Sequence, residues 1–500
     1  MTELRLIRDK WLILPTVILF AYIIMRFVNQ SQIISTFPLD YTNDWSSYLT
    51  QLHFLTVCGF HNACPYWYGG FTAFIVEAPG WPLFTYPIYA LLGSLTLTGY
   101  VSVVLIFLLA LFASLKIGAV LKFSKLRSLF FFAFYFGNAI AIGNFIRLGR
   151  VSQALAFMLG LWILYIILKY KDKKINTGFL WIIPVYVALI VTHYQEAFLL
   201  SFIPLGLLIY KRNMLERIVI LLSFGFAAIL SLFWTYPFLI NVLSPTGGSL
   251  LSHIQSNWAF QMNGNLVLTI IASIIVPLAF MIVFLARLRN SKNKAGLIRF
   301  YLPTLILSGL FLFRLNVFVP FLKNISPDPV MLFLLLLTMI LALELKGSMK
   351  LFKVIAIIAI IIIPLASVLV SHIHTPYFTQ YTEMENQLLE VLEHTPDNFI
   401  MLNEDSRTSY ANAYYCLGAV KYGLTTPAGW YPFIASSKRL AELDKIQMYF
   451  GDNDCDALVY QLKYLKTDYV IGYADYCGRL DSCGLKTEYT SGQACLLKVV

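Results

Sequence analysis

Apolar segments of roughly membrane length recur along the first three-quarters of this 500-residue chain. They lie at 11–29, 99–121, 128–146, 151–169, 177–193, 195–210, 218–240, 263–287, 298–315, 330–346 and 353–371. The hydrocarbon core of a bilayer is about 30 Å thick, and about 20 apolar residues in helical form cross it. Backbone polar groups find no water there, so each such segment is expected to fold as a helix. With 13% charged residues and a mean hydropathy of +0.72, the pattern predicts a polytopic α-helical membrane protein of about 11 spans, in the range 10–13.

Short basic clusters between these segments predict the orientation. They lie at 122–127, 169–174, 211–217, 287–294 and 346–353. Alternating the spans places all of them, with the basic N-terminus, on one side, and the positive-inside rule makes that side cytoplasmic. We therefore expect a multi-pass protein of the cell membrane with a cytoplasmic N-terminus and an extracytoplasmic C-terminal domain. The apolar stretch 81–99 would break this parity if it crossed, so it is interpreted as interfacial or re-entrant.

The distribution of charge excludes a nucleic-acid partner, although the net charge is +11. Residues 372–500 carry 10 basic and 16 acidic side chains, whereas the preceding residues carry the other 27 and 10. The positive charges lie in turns between spans and form no basic face for a polynucleotide. The change in composition predicts a transmembrane domain at 1–371, with a first outer loop at 30–98, and a separate domain at 372–500.

The C-terminal residues are predicted to form a compact α/β domain. Residues 381–396 and 436–450 place apolar side chains at helical spacing, whereas 398–404, 469–474 and 495–500 have the composition of short strands. Alternating helices and strands over about 125 residues are typical of one small domain.

Cysteines give an independent indication of the outer side. All seven lie outside the long apolar stretch, at Cys58, Cys64, Cys416, Cys455, Cys477, Cys483 and Cys495. Disulfides persist in oxidising compartments, which agrees with the side assigned by charge. We expect Cys58 and Cys64 to pair within their loop. The tail has five, so one should stay free or pair elsewhere. Zinc binding is the weaker alternative because no CxxC occurs.

The first outer loop is rich in ionisable and aromatic residues. The stretch "FPLDYTNDWSSYLTQLHFL" places Asp40 and Asp44 where the chain leaves the first span. Glu77 lies within an apolar run, where an unpaired charge would be costly. The aromatic side chains of this loop are expected at headgroup depth in the membrane interface, and they include Trp67, Tyr68 and Trp81.

Further ionisable residues fall at turns on the same predicted outer side. They are Arg147, Arg150, His193, Glu196, Arg314 and Asp328. Ionisable groups at the membrane edge are costly and mark functional sites by default. Guanidinium groups bind phosphate in a bidentate geometry, and the phosphate of a lipid-linked substrate would lie at this depth. The alternatives are solvated loop carboxylates and arginines that reach ordinary lipid headgroups.

Several short motifs in this chain resemble a known superfamily. They are "DWSSYL" after the first span, "PYWYGGFTAFIVEAPGWPLF", "LGRVSQALAFMLGLW", "SPDPVMLFLLLL", "TTPAGWYPF" and "YLKTDYVIGYADYC". In these motifs the chain resembles the GT-C superfamily of polytopic glycosyltransferases, which use polyprenyl-phosphate-linked sugars. More narrowly, it looks like a family of archaeal membrane proteins labelled "6-pyruvoyl-tetrahydropterin synthase related". Nothing in the sequence points to pterin chemistry.

The resemblance implies a function and a set of site residues. It implies transfer of a sugar from a polyprenyl-phosphate donor to a protein, lipid or glycan acceptor on the outer face. Asp44 would be the catalytic or acceptor-orienting carboxylate, with Asp40 as the competing candidate. In such families the residue four positions after this Asp is His or Tyr, here Tyr48. The position after "PD" is often Arg, and here it is Pro329, which puts that contact in question.

The chemistry implied by the resemblance assigns further roles. Arg147, Arg150 and Arg314 would bind the departing phosphate. The remaining candidate substrate-binding residues are Tyr48, Glu77, His193, Glu196 and Asp328. A divalent metal, Mg or Mn, is compatible with the carboxylates but is not required by the sequence. Two other functions stay open: a non-catalytic scaffold or receptor with the same fold, and a secondary transporter, whose inverted repeats are not seen here.

Overall fold

The computed structural model describes residues 9–39, 44–243, 274–313, 315–319, 322, 327–345, 350–402, 408–430 and 434–500. These residues belong to two compact units. The bundle unit comprises Met1–Gln30, Val101–Phe233 and Ile254–Tyr377, and the tail unit comprises Ser31–Tyr100, Trp234–His253 and Phe378–Val500. The division at residue 377 lies near the predicted one at 371. The first outer loop, however, belongs to the same unit as the tail rather than to the transmembrane part.

Helices account for most of the described chain. Those up to residue 243 are α1 Ile13–Gln30, α2 Trp45–Val57, α3 Gly80–Leu92, α4 Leu95–Leu121, α5 Lys125–Gly137, α6 Ala139–Ala141, α7 Val151–Lys171, α8 Ile182–Thr192, α9 Tyr194–Leu200, α10 Phe202–Tyr210, α11 Met214–Leu230 and α12 Leu232–Leu243. The later ones are α13 Val276–Arg289, α14 Lys294–Leu312, α15 Pro327–Glu344, α16 Lys350–His374, α17 Glu383–Glu393, α18 Thr408–Leu417, α19 Ser437–Gly451, α20 Cys455–Tyr464 and α21 Asp475–Ser482.

Several of these helices are long and apolar enough to cross a bilayer. Within the described residues there are four, and two pairs bent by 51° and 67° raise the number to six if each pair is one span. The four are Lys10–Ile34, Leu95–Leu121, Val151–Lys171 and Lys294–Leu312. Shorter apolar helices occupy the predicted spans at 177–193 and 195–210. The chain is therefore a multi-pass helical membrane protein, and the number of about 11 spans stays a prediction. Part of the segment predicted at 263–287 lies outside the described residues.

Asn138 produces the 51° bend that follows α5. Its backbone is extended, with ψ of 162°, and its side-chain oxygen accepts hydrogen bonds from the N–H groups of Ile140 and Ala141. Its amide nitrogen donates to the carbonyl oxygen of Tyr135 at 2.6 Å. One side chain thus binds the end of one helix and the start of the next. The short asparagine side chain can do this because it reaches nearby backbone groups and replaces the hydrogen bonds that a continuous helix would make. The short helix α6 follows, and a π-helical turn, Ile142–Arg147, comes after it.

Helix α10 packs directly on α14 through a glycine. A Cβ atom at Gly206 would lie 2.1 Å from the backbone oxygen of Phe300, so only glycine allows this approach. We expect Gly206→Ala to lower the free energy of unfolding by about 1–3 kcal/mol, since overpacking forces the helices apart. Gly225→Ala is the matched control: that position in α11 has no atom within 4 Å of a Cβ. Thermal unfolding in detergent micelles should show no loss for the control, and equal behaviour of both variants would contradict the packing argument.

The tail unit contains a mixed four-stranded sheet. Its strands are β3 Phe399–Leu402, β4 Tyr469–Tyr473, β5 Lys486–Ser491 and β6 Ala494–Lys498. A separate two-stranded sheet is formed by the two-residue strands β1 Ala63–Cys64 and β2 Phe71–Thr72. The order in the sheet is β3-β4-β6-β5; β3 is parallel to β4, and the other neighbours are antiparallel. The predicted strands at 398–404, 469–474 and 495–500 correspond to β3, β4 and β6, and β5 was not predicted. The side chains of β5 are mostly exposed, so its sequence lacks the apolar residues that indicate a buried strand.

The helices of the tail begin where the sequence indicates. Thr382 and Glu385 form a capping box at the start of α17, each side chain bonding the other's backbone N–H. Two buried positions on α17, Leu388 and Leu392, lie four residues apart and form its inner face, as the predicted periodicity requires. Ser436 caps α19 by accepting a hydrogen bond from the Arg439 N–H. The fold class predicted from sequence, a polytopic helical chain followed by an α/β region, is confirmed.

The first outer loop is joined to the C-terminal residues by backbone hydrogen bonds. Tyr68 N donates to Ala428 O at 3.0 Å, and Thr426 N donates to Tyr66 O at 2.9 Å. Trp67 is fully buried and its indole N–H donates to the Tyr415 carbonyl oxygen at 3.5 Å. This pairing brings residues 31–100 into the tail unit, although about 300 residues separate the two segments.

The three aromatic residues expected at headgroup depth are buried within the protein, and their depth in the membrane stays a prediction. Trp67 and Trp81 are 0% exposed and Tyr68 is 8% exposed. The indole of Trp81 packs edge-on against Tyr48, with ring centroids 5.6 Å apart. Large aromatic rings bury more apolar area than any other side chains, and here the tail unit's own core provides the partner surface.

The disulfide prediction is confirmed. Three bonds join Cys58 to Cys64, Cys455 to Cys483 and Cys477 to Cys495. The odd cysteine is Cys416, which is reduced and buried. All three bonds lie in the tail unit, which is the unit predicted to face an oxidising compartment.

Candidate functional site

A chain of polar side chains runs through the interior of the bundle unit. Asn144 is its centre: the side-chain nitrogen donates to Gln153 Oε1 and to Asp328 Oδ2, both at 3.1 Å. Asp328 Oδ2 also accepts from Arg150 Nη1 at 2.5 Å. Gln153 Nε2 in turn donates to Glu196 Oε1 at 3.0 Å.

The chain ends at a buried acid and its histidine. Glu196 is 0% exposed, and its Oε2 contacts Nδ1 of His193, whose side chain is 26% exposed. At the other end, the Arg150 side chain is 37% exposed. The two ends therefore reach the surface, whereas Asn144 and Gln153 between them are 8% and 4% exposed. Because buried polar groups are costly without partners, these connected hydrogen bonds indicate a site that the fold is built to hold.

Local backbone breaks position this polar chain. Asn144 lies in the π-helical turn before α7, and π turns are frequent at functional sites. Gly149 has φ of 73°, a left-handed conformation that lets the chain reverse and α7 start at Val151. His193 has extended backbone between α8 and α9, so its ring leaves the helix axis. Asn144 and His193 thus come from irregular points of the bundle, whereas Gln153, Glu196 and Asp328 lie in the first turns of α7, α9 and α15.

Two buried arginines hold the C-terminal end of α16. Arg147 Nε donates to the Pro376 carbonyl oxygen at 3.0 Å, and Arg26 Nη2 donates to the same oxygen at 2.9 Å. Arg26 also bonds Thr375 O at 3.0 Å and lies 4.3 Å from the ring centroid of Tyr377. Arg147 is 4% exposed. Its predicted role as a phosphate ligand therefore competes with a structural one, while Arg150 keeps part of its guanidinium at the surface.

The predicted carboxylate of the first outer loop lies in the tail unit. Asp44 is half-buried at the N-cap position of α2, and its backbone oxygen accepts from Tyr48 N at 3.1 Å. Asp is a preferred N-cap residue, yet the Asp44 side chain makes no capping hydrogen bond. Its carboxylate is therefore directed to other partners than the helix that it begins. Tyr48 follows one turn later on the same face of α2.

Two predicted residues cannot be placed. Asp40 and Arg314 lie outside the described residues, so the choice between Asp40 and Asp44 rests on chemistry alone. Among the residues that the structure describes, no three His, Cys, Asp or Glu side chains come together as metal ligands. The metal dependence of any reaction stays a prediction.

Glu77 is a buried acid of the first outer loop with a raised pKa. It is 6% exposed, and Oε2 has no hydrogen-bond partner among the described residues. Burial raises the pKa of Glu77 to about 7, although backbone N–H groups of residues 74, 76 and 77 hydrogen-bond to its carboxylate and act in the opposite direction. A buried acid that titrates near neutrality is a candidate for proton transfer or ligand binding.

The raised pKa predicts a pH-dependent stability. The unfolded carboxyl loses its proton near pH 4.5 and the folded one near 7, so the folded state binds more protons between these values. Stability from this group is present below pH 4.5 and is lost as the pH rises through about 7, by roughly 3 kcal/mol in total. We expect Glu77→Gln to remove this slope in chemical unfolding at pH 5, 6, 7 and 8. The exposed Glu393→Gln serves as control; a slope unchanged by Glu77→Gln would contradict the assignment.

Two members of the polar chain were missed by sequence reasoning. Asn144 and Gln153 both lie in "GNFIRLGRVSQ", from which only the arginines were selected. Uncharged amides carry little signal in a sequence, but two amides that flank a pair of arginines in an apolar region could have been recognised as buried polar groups.

Comparison with known proteins supports the fold. No family model and no curated protein matches the sequence. Among solved structures, the chain is similar to the oligosaccharyltransferase AglB of Archaeoglobus fulgidus, solved with an inhibitory peptide and a dolichol-phosphate: TM-score 0.50, 11% identity, 94% of this chain and 72% of that chain covered. It is also similar to the arabinofuranosyltransferase AftD from Mycobacteria: TM-score 0.53, 13% identity, 98% and 40% covered.

These similarities establish the fold class of the chain. The match extends over nearly the whole chain, so the protein shares the fold class of these two transferases, a helical membrane part followed by a C-terminal region with strands. The chain spans about two-fifths of the mycobacterial protein's length. At 11–13% identity the likeness concerns the fold and carries no residue from one protein to another.

Proposed function

We propose that this protein is a membrane glycosyltransferase that moves a sugar from a polyprenyl-phosphate donor to an acceptor on the outer face of the membrane. The observation that carries the proposal is a GT-C-like fold over 94–98% of the chain. One neighbour was solved with a dolichol-phosphate, a lipid of the proposed donor class. We further propose membership of the archaeal family that the sequence resembles, with the N-terminus cytoplasmic and the tail unit outside.

Asp44 is the proposed reactive carboxylate. In the transfer, the acceptor hydroxyl oxygen forms a bond to the anomeric carbon, and the bond from that carbon to the phosphate oxygen breaks. The electron pair leaves on the polyprenyl phosphate, and the hydroxyl proton passes to the Asp44 carboxylate. Asp44 is the acid of the "DWSSYL" motif that carries the resemblance, which is why it is proposed for this role. Asp40 is the alternative carboxylate, since it lies in the same loop.

Arg150 is the proposed ligand of the phosphate. Its guanidinium is partly exposed, and Asp328 fixes one edge of it through a 2.5 Å ion pair, leaving a planar donor group preorganised. Arg147, whose Nε is bonded to Pro376, would act by holding the end of α16. The other proposed substrate-binding residues are Tyr48, Glu77, His193, Glu196 and Arg314.

Transfer from defined donors tests the proposal. Purified full chain in nanodiscs is incubated with short-chain polyprenyl-phosphate mannose, glucose or arabinofuranose, labelled in the sugar, and with membrane extract as acceptor. We expect labelled sugar to leave the lipid-phosphate pool and free polyprenyl phosphate to appear in equal amount. Comparing the rates with and without EDTA measures whether the transfer depends on a metal. Folded protein that transfers no label from any donor would contradict the proposal and favour a scaffold. Substrate uptake into proteoliposomes without transfer would instead favour a transporter.

A further inference from the structure

The bundle unit contains a strongly basic cavity far from the polar chain. It has a volume of about 330 Å³ and lies at the C-terminal end of α7, whose start holds the polar chain. The 21 residues of that helix separate the two places by about 30 Å. Six cationic side chains line the cavity: Lys171, Lys173, Lys174, Lys211, Arg212 and Arg299.

The acidic residues of the cavity do not neutralise this charge. Asp172 accepts a hydrogen bond from the Tyr210 hydroxyl. Glu216 Oε1 accepts from Ile175 N at 2.9 Å and from Lys211 Nζ at 3.2 Å. Among the residues that the structure describes, the other five cations of the lining form no ion pair. The cavity therefore presents a surplus of positive charge to whatever enters it.

The cavity is held in shape by a buried lysine. Lys211 is 6% exposed, and its Nζ donates to the backbone oxygen of Lys173 at 2.5 Å. This bond ties the turn after α7 to the turn between α10 and α11. Arg299 contributes from the second turn of α14, so three separate segments bring their charges to one volume. Basic clusters that only set topology need no such arrangement, because the positive-inside rule depends on charge and not on shape.

We propose that this cavity binds the phosphate headgroup of an anionic membrane lipid. Guanidinium groups at Arg212 and Arg299 offer bidentate donors, and basic pockets between spans on the predicted cytoplasmic side recognise such headgroups. An exposed apolar stripe runs along α14 from the residue before Arg299: Ile298, Leu302 and Ile306 are 39%, 38% and 55% exposed at four-residue spacing. The phosphate headgroup would lie among the cationic side chains of the cavity, and the acyl chains would pack along the apolar stripe of α14.

Binding of short-chain lipids to the purified full chain in neutral detergent tests this proposal. Native mass spectrometry would measure the affinity for dioctanoyl phosphatidylglycerol and, in parallel, for dioctanoyl phosphatidylcholine. We expect a preference of about tenfold or more for the anionic lipid. Lys173→Gln/Lys174→Gln should lower its affinity about 20-fold, because each lysine near an anionic headgroup contributes a factor of about five. Lys122→Gln/Lys125→Gln is the matched control, removing two exposed lysines from another turn on the same predicted side.

The alternative results overturn the proposal in distinct ways. Equal affinity for the two lipids, or equal loss in both double variants, would show that the cavity does not recognise the headgroup. Inorganic pyrophosphate that binds the protein and depends on Lys173 and Lys174, without any lipid preference, would assign the cavity to a soluble anion. If Lys173→Gln/Lys174→Gln does not fold, Arg299→Gln gives the same reading from an exposed position on α14.

Discussion

Replacing Asp44 with asparagine is expected to lower the rate of sugar transfer by about 100-fold or more, because general base catalysis contributes about 10²–10⁴ to such reactions. Asparagine keeps the size of the side chain and can still accept one hydrogen bond, but it cannot take the proton of the acceptor hydroxyl. Asparagine is also a preferred residue at the N-cap position that Asp44 occupies in α2, so the variant should fold normally. Initial rates with a labelled polyprenyl-phosphate sugar measure the effect.

Matched variants decide what such a loss means. Asp444→Asn changes an exposed carboxylate on α19, in the same unit, and should leave the rate within about twofold of wild type, as surface substitutions do. Tyr48→Phe removes the hydroxyl that lies on the same face of α2 as Asp44. A higher KM at unchanged kcat would assign this hydroxyl to substrate binding, whereas a lower kcat would assign it to the chemical step. Normal rates in Asp44→Asn together with loss in Asp40→Asn would transfer the role to Asp40. Normal rates in both would remove the proposed chemistry.

Gln153→Leu is expected to destabilise the bundle unit by about 2–3 kcal/mol. Gln153 accepts from Asn144 and donates to Glu196, so leucine leaves a fully buried carboxylate without that donor. Glu196 keeps its contact with His193, so the cost arises from the oxygen Oε1 that is left buried without its donor more than from the lost bond itself. Thermal unfolding in detergent micelles measures the difference.

Two further variants test this reasoning. Gln195→Leu changes a buried glutamine whose described hydrogen bond is a 3.5 Å contact with the Tyr194 hydroxyl, and it should cost about 1 kcal/mol or less. The double variant Gln153→Leu/Glu196→Leu should be more stable than the sum of the single changes, because it removes the charge along with its donor. A Gln153→Leu protein as stable as Gln195→Leu would show that the polar chain is not a connected unit.

Much of the architecture followed from the sequence, because the bilayer imposes a simple rule. Apolar length and basic turns were enough to predict a polytopic helical fold, and helical periodicity was enough for α17 and α19. The Cys58–Cys64 bond followed from proximity in the chain. The strand β5 escaped because its side chains are mostly exposed, and Asn144 and Gln153 escaped because amides are unremarkable until they are seen buried.

Local sequence determined which segments are apolar, where helices begin and which residues are ionisable, since these depend on neighbours a few positions away. Only the tertiary structure decided which ionisable groups have partners. Arg150 meets Asp328 across 178 residues, and Arg147 meets Pro376 across 229. Trp67 is buried by a segment about 350 residues later. Such contacts depend on how helices cross and where they bend, which is set by packing over the whole chain and leaves no trace in a short stretch of sequence.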